Sequence, residues 1–372
     1  MPQEKNFLAH RFKSKKKRWE IGSDFDWSED ILLSSPSSFW LSDRYQLFST
    51  ATAGFLALKS LFSQQPEKPL RIHVPSFYCM SVVSKLQTVF EVCWYRDLPN
   101  RSTPDFNTLK ALPGDLVIAV NLFGIRRQQP WQDWQKEHPQ AILIEDHTHD
   151  PFSLWAKNSK ANYAVASLHK TLPIPDGAIV WSPQNLDLPK PWGKESPGAT
   201  LRLMGMILKR AYLQGLAVNK EDYLSLSRDG QNKLDDPTNS VISVFTANTL
   251  KFLDVESLRQ KRGANIRKFS DLSKNKPNPY WKPLFNHWER DIVPFNGILL
   301  CQSKQVRDAL QKYLISHNIF APIHWKQPYE GVSSKDLKAI ALSEQILTIP
   351  MDWRYDAEDI IWIIEIIDNF AL

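Results

Sequence analysis

The stretch Ala166-Ser167-Leu168-His169-Lys170-Thr171-Leu172-Pro173-Ile174-Pro175-Asp176-Gly177 decides how the rest of this 372-residue chain is read. It follows a short strand-like run, Tyr163 to Ala166, and precedes a second apolar run, Ala178 to Trp181. The lysine therefore falls in a constrained turn between two buried strands. Turns held by a rigid scaffold carry function more often than packing. A lysine placed there can lose part of its hydration, which lowers its pKa and makes its amine a nucleophile toward carbonyls. A solvated lysine on an ordinary loop is the competing reading of this segment taken alone.

Upstream, Ala141-Ile142-Leu143-Ile144 is continuous and apolar, the pattern of a buried parallel strand. It ends in Glu145-Asp146-His147-Thr148-His149-Asp150. An acidic group at the carboxyl end of one strand, followed by a strand that carries a lysine, is the layout of a pyridoxal phosphate site. There the lysine forms a Schiff base with the cofactor aldehyde. The aspartate keeps the pyridine nitrogen protonated, so the ring can accept electrons.

Ile144-Glu145-Asp146 through His149, then Ser167-Leu168-His169-Lys170, then Asp176-Gly177-Ala178 together resemble the fold-type I pyridoxal phosphate enzymes, and most nearly the DegT/StrS-type sugar aminotransferases. In that family the pattern is a strand ending Glu-Asp-x-x-Gln, then Ser-Phe-His with the lysine, then Gly-Gly-Ala. The resemblance runs from about Tyr45 to the C-terminus. His149 stands where the family usually has Gln. Lys170 follows His169 directly, a spacing that also resembles the cysteine desulfurase branch of the same fold.

The resemblance implies an α/β three-layer sandwich with a mainly parallel central sheet. Its expected divisions are an irregular basic segment over 1–40, a large cofactor-binding domain over 41–250, and a smaller α+β domain over 251–372. Lys170 would hold the cofactor and later shuttle a proton as general acid and base. Asp146 would keep the ring nitrogen protonated, and His149 would hydrogen-bond the ring's 3-oxygen. A histidine ordinarily titrates near neutral pH, so His149 is expected to make activity pH-sensitive.

Other segments fit the same site. Ser49-Thr50-Ala51-Thr52 opens an apolar-rich helix from about Ala53 to Phe62. Small hydroxyl residues there are ordinary N-caps, and the free backbone N–H groups also cradle a phosphate. The family binds the cofactor phosphate at this helix start, so Ser49, Thr50 and Ala51 take that place, with Ser167 and His169 completing the cofactor-binding set. In the segment Pro75-Ser76-Phe77-Tyr78-Cys79 the family stacks an aromatic ring on the pyridine. Strict register gives Cys79, which cannot stack, so Tyr78 is expected there, with Phe77 next and a plain core aromatic as the alternative.

Composition sets outer bounds. Hydrophobic content of 42% and charged content of 23% are ordinary for a globular protein. No apolar run approaches the roughly 20 residues of a membrane span, and no signal-peptide core opens the chain. Cys79, Cys93 and Cys301 are widely spaced, with no metal-like pairing, so no metal and a reducing cytoplasm are expected. Part of the net charge of +6 comes from Lys13, Lys15, Lys16, Lys17 and Arg18, read as a solvated tail rather than a nucleic-acid site. The 14 tryptophans imply packing only.

Short apolar strands alternate with helices: Leu70 to Val74, Phe90 to Tyr95, Asp115 to Asn121 running into Leu122-Phe123-Gly124, and Trp131 to His138 as a helix. The carboxyl ends of such strands form the site. From Trp192 to Leu226 the pattern turns helical, with Leu201, Met204, Ile207, Leu208 and Tyr212 read as a core stripe. Thr249 to Phe269 reads as a helix whose Arg259, Lys261, Arg262 and Arg267 form a solvated basic face. Ile319 to Trp325 reads as a strand, and with Leu342 to Pro350 it resembles the family's small domain. With 13 glycines and no Gly-rich loop, a dinucleotide or P-loop site has no support.

The family further implies an amino acid donor such as glutamate, a nucleotide-linked keto-sugar acceptor and a homodimer, with no membrane or nucleic-acid partner. Two alternatives remain at this level. One is lyase or desulfurase chemistry on an amino acid, which needs a mobile cysteine; the other is a non-catalytic binding module on the same fold.

Overall fold

The computed structural model describes residues 18–37, 44–62, 69–274, 278–285 and 287–372. Lys13, Lys15, Lys16 and Lys17 lie outside those residues. Arg18 lies inside them, with its guanidinium 4.2 Å from the centre of the Tyr212 ring. Among the described residues no helix is long and apolar enough to cross a membrane.

A two-residue strand, β1 (Ile21–Gly22), comes first. The central sheet follows, from β2 (Tyr45–Phe48), β3 (Arg71–Pro75), β4 (Glu91–Tyr95), β5 (Leu116–Val120), β6 (Ile142–Asp146), β7 (Tyr163–Ser167) and β8 (Ala178–Trp181). Their order across the sheet is β2-β8-β7-β6-β5-β3-β4. β8 runs against both its neighbours, and the other six strands share one direction. β5, β7 and β8 are buried along their whole length, as continuous apolar strands must be when helices cover both faces. The α/β class and the mainly parallel sheet are as the sequence implies.

The helix Ala51–Phe62 lies directly on this sheet. A Cβ added at Gly54 would stand 2.7 Å from Val180 Cγ2, so only glycine permits that approach. The contact brings the helix start beside the carboxyl ends of β6 and β7.

The C-terminal part adds β9 (Trp281–Pro283), β10 (Gly297–Cys301), β11 (Ile319–Phe320) and β12 (Ile346–Ile349). β12, β10 and β9 form an antiparallel sheet, and β11 pairs in parallel with β1, Ile21 opposite Ile319. A second core gathers Ile21, Ile266, Phe269, Leu310, Leu347 and Ile363 around these strands.

Four local expectations are corrected. The helical stretch after Trp192 is two helices, Pro197–Leu213 and Lys220–Leu234, parted at Gly215, whose φ of +83° ends the first. Its Met and Ile stripe is not core: Met204 and Ile207 are exposed, and Gly198, Arg202, Gly205, Met206 and Lys209 are buried instead. The two helices meet through glycines, since a Cβ at Gly198 would stand 2.3 Å from Gly230 O. Arg259 and Arg262, on the helix Val255–Ser273, do not belong to a solvated face. Both donate to the buried Asp150 carboxylate, at 2.7 Å from each guanidinium. Finally, only Ile319–Phe320 of the Ile319 to Trp325 stretch is strand, because β1 offers just two residues to pair with.

Candidate active site

Lys170 closes a single 3-10 turn, Leu168–Lys170, at the end of β7. The turn is fixed from both sides. Leu168 N–H donates to Gly177 O at 3.0 Å, and Gly177 N–H donates to Ser49 O at 2.7 Å. Gly177 has φ +117°, and a side chain there would press on Thr246 and Ile242. Asp176 beside it accepts from Ser243 N–H at 2.9 Å and from the hydroxyls of Ser243 and Thr246 at 2.7 and 2.5 Å.

The Lys170 side chain reaches into a cavity open to solvent, which leaves the residue exposed by area although protein surrounds it densely. Loss of hydration holds its ammonium below the usual lysine range, and the Arg202 guanidinium adds to that. No hydrogen bond or ion pair to its Nζ is found among the described residues. Asp146 ends β6, the strand next to β7, and lines the same cavity. Its Oδ1 accepts from Thr148 N–H at 2.9 Å and its Oδ2 from the Tyr78 hydroxyl at 2.6 Å.

His149 lines the cavity as well. Its Nδ1 accepts from Phe123 N–H at 2.8 Å, so in the neutral ring the proton sits on Nε2. Phe123 makes that bond from a left-handed backbone, φ +54°. Burial, and then the charges of His324, Arg262 and Lys170, push His149 well below the ordinary imidazole value. The expected titration near neutral pH is therefore corrected: the ring stays neutral because ionising it here would strand a charge away from water.

Thr50, Ala51, Ser167 and His169 all face the cavity, and Thr50 Oγ1 caps the helix start by accepting Ala53 N–H at 3.1 Å. Ser49 is buried to one side, its hydroxyl donating to Asn239 O at 3.3 Å, and does not line the cavity. Tyr78 lines it but is only 3% exposed and tied to Asp146. Phe77 is fully buried against Phe123 and Trp325 and does not line the cavity. Cys79 also reaches the cavity, at the start of the helix Met80–Leu86, with its sulfur 3.1 Å from Ser81 Oγ.

Phe295, His324 and Trp325 enter the cavity from the C-terminal part. The rings of Phe295 and Trp325 stack on His149 with centres 4.8 and 5.3 Å away. The site resemblance of His324-Trp325 was visible in the sequence. Phe295 carried no signal, being one aromatic among 43 Phe, Tyr and Trp residues, which are 19, 10 and 14 of the chain. Gln231, on the helix Lys220–Leu234, and Asp235, which caps its C-terminal end, complete the rim.

No protein-family model and no curated protein matches the chain. Solved structures do. PseC of Helicobacter pylori, an aminotransferase involved in the biosynthesis of pseudoaminic acid, superposes with a TM-score of 0.63 at 16% identity, over 94% of this chain and 98% of that one. The chain has the sugar aminotransferase fold. DesI, solved in the presence of its TDP-sugar product, shares it at TM-score 0.59 and 14% identity, over 97% and 88% of the two chains. So does the Escherichia coli GDP-4-keto-6-deoxy-D-mannose-3-dehydratase with bound hydrated pyridoxal phosphate, at 0.57 and 12%, over 94% and 100%. At such identities the likeness speaks for the fold, and the chemistry must be argued from the site.

Proposed function

We propose that this protein is a pyridoxal phosphate-dependent aminotransferase that moves an amino group from an amino acid, glutamate, to a nucleotide-linked keto-sugar. We further propose that it acts as a homodimer, with 41–250 as the cofactor-binding domain and 251–372 as the small domain. The observation that carries this reading is that Lys170 and Asp146, at the ends of adjacent parallel strands, line one cavity. The acceptor class is supported by the fold shared with PseC and with DesI and its TDP-sugar product.

The residues present fit the cofactor. His169 is 6% exposed, and its Nε2 is buried without a partner in a ring that lines the cavity, a polar atom left for the cofactor to pair with. The start of the helix Ala51–Phe62 supplies free backbone N–H groups and the positive end of its dipole beside it. Lys170 is an amine with no competing partner, and Asp146 is a carboxylate for a ring nitrogen.

Pyridoxal phosphate supplies an electron sink that lets an amino group pass from one carbon to another. The chain's own residues do the rest. Lys170 Nζ, held below its usual pKa, would hold the cofactor and, when free, carry a proton. Asp146 would hold a proton at the ring nitrogen, and His149 Nε2–H would donate to the ring oxygen. Thr50, Ala51, Ser167 and His169 bind the phosphate, while Phe295 and Trp325 keep water from one side.

A second reading is carbon–sulfur chemistry, because Cys79 reaches the cavity. Its place at a helix start beside Ser81, not on a long loop, weighs against a travelling thiol. The test is uptake of cofactor, reduction with borohydride and peptide mapping, followed by a single turnover with glutamate and then with cysteine. The adduct should map to Lys170. Glutamate should bleach the absorption band near roughly 420 nm, expected of a lysine-bound cofactor, and release 2-oxoglutarate; a nucleotide-linked keto-sugar should restore the band. An adduct on another lysine refutes the site. Sulfide or alanine from cysteine, with glutamate silent, favours the second reading, and silence with every donor favours a binding module.

A further inference from the structure

We propose that Tyr78 is a positioning residue that weakens the hold of Asp146 on the ring-nitrogen proton of the bound cofactor, a role that rests on the function proposed above. The Tyr78 hydroxyl donates to Asp146 Oδ2 at 2.6 Å, a length typical of a charge-assisted O–H···O bond. The other oxygen, Oδ1, already takes Thr148 N–H at 2.9 Å. Both side chains are buried, so water does not compete for either bond.

Tyr78 cannot leave this post easily. Its ring meets Trp325 at a steep 66°, with centres 6.1 Å apart, and belongs to the main core. Burial first, and then the charge of Asp146, raise its phenol well above the usual value, so it remains an O–H donor throughout the working range. Each carboxylate oxygen can accept about two hydrogen bonds. An oxygen that already accepts a short one offers less charge to a second donor. A ring nitrogen N–H arriving at Asp146 therefore meets an acceptor already engaged at both oxygens. On this proposal the aromatic expected beside the cofactor also acts through the carboxylate.

The test uses full-length protein loaded with 15N-labelled pyridoxal phosphate, reading the proton on the ring nitrogen by 15N-edited NMR. Tyr78→Phe keeps the ring and deletes only the hydroxyl. The nitrogen-bound proton should move downfield, as its bond to Asp146 shortens. Replacing Tyr78 by 3-fluorotyrosine, whose phenol is a stronger donor of nearly the same size, should move it upfield, and this serves if Tyr78→Phe does not fold. In an Asp146→Asn background the ring nitrogen should lose its proton, and its 15N shift should be the same with tyrosine as with 3-fluorotyrosine at position 78; a difference there overturns the proposal. An unchanged resonance in either folded variant, a shift in the opposite sense, or a loaded wild-type protein without a ring-nitrogen proton overturns the proposal. A wild-type protein that takes up no cofactor overturns the proposed function, and this role with it.

Discussion

His324 donates its Nδ1 proton to Thr348 Oγ1 at 2.8 Å, and that hydroxyl donates its own proton to Pro322 O at 2.7 Å. The direction of the second bond fixes the first, because a carbonyl can only accept. His324 Nε2 is therefore an acceptor in the neutral ring. His149 has the opposite tautomer, since its Nδ1 accepts from the Phe123 backbone. The cavity thus offers one fixed donor and one fixed acceptor, with ring centres 6.5 Å apart.

Thr348→Val should release that tautomer without changing the shape of the strand. Turnover with the amino donor, measured as kcat/KM, should fall by roughly fivefold to tenfold, the size of one lost hydrogen bond. A kcat/KM within twofold of wild type would show that the orientation of His324 does not matter to the reaction.

The buried histidines also govern acid stability. His149 and His169 are held well below the ordinary imidazole value, and His324 is lowered to about 3, burial being the first cause in each. Unfolding exposes all three, and each then takes up a proton below about pH 6.5. The unfolded state binds more protons in this window, so stability is intact above about pH 6.5 and falls as the pH drops toward the folded values. His149→Gln should flatten that fall by up to about one proton, or roughly 1.4 kcal/mol per pH unit. Urea titrations between pH 7 and pH 4.5 would check it; equal slopes for the two proteins would contradict it.

Asp150 has no solvent exposure and holds both Arg259 and Arg262. Asp150→Ala should cost about 3–5 kcal/mol in chemical denaturation, because two guanidinium groups are left without their counter-ion. Arg259→Ala should cost less, as Arg262 still neutralises the carboxylate. Equal losses would mean that the two arginines do not share one buried charge.

Gly198→Ala should drive the paired helices apart at Gly230 O, costing about 1–3 kcal/mol. Met204→Ala, on the exposed face of the same helix, should stay within about 0.5 kcal/mol. The reverse ranking would restore Met204 to the core.

The sheet and the lysine turn were legible because their signals are local. β5, β7 and β8 are continuous apolar runs, Asp146 ends one strand, and Lys170 follows the next. The helix stripe misled because 3.6-residue periodicity marks a face without saying what covers it. Here a partner helix packs on glycines, and Met204 and Ile207 turn outward. Arg262 misled because a basic residue on a helix reads alike whether it meets water or Asp150, which lies more than a hundred positions away. The Tyr78 bond to Asp146 and the arrival of Phe295 at His149 depend on tertiary placement across 68 and 146 positions, the latter being 295 − 149, and no local pattern reports them.

The pairing of Ile21–Gly22 with Ile319–Phe320 bears on how the polypeptide is made. Trp19 donates to Asp359, Gly22 N–H to the Tyr355 hydroxyl, and Lys209 reaches Glu20 and the Gly22 carbonyl. During synthesis Lys209 arrives fewer than two hundred positions after Gly22, but the strand partner Ile319 and then Tyr355 and Asp359 come roughly three hundred or more positions after theirs. The central sheet, complete by Trp181, can close first. Ile21 then remains an exposed apolar strand until the last part arrives, and this delay is where a nascent chain is open to chaperones or to mispairing.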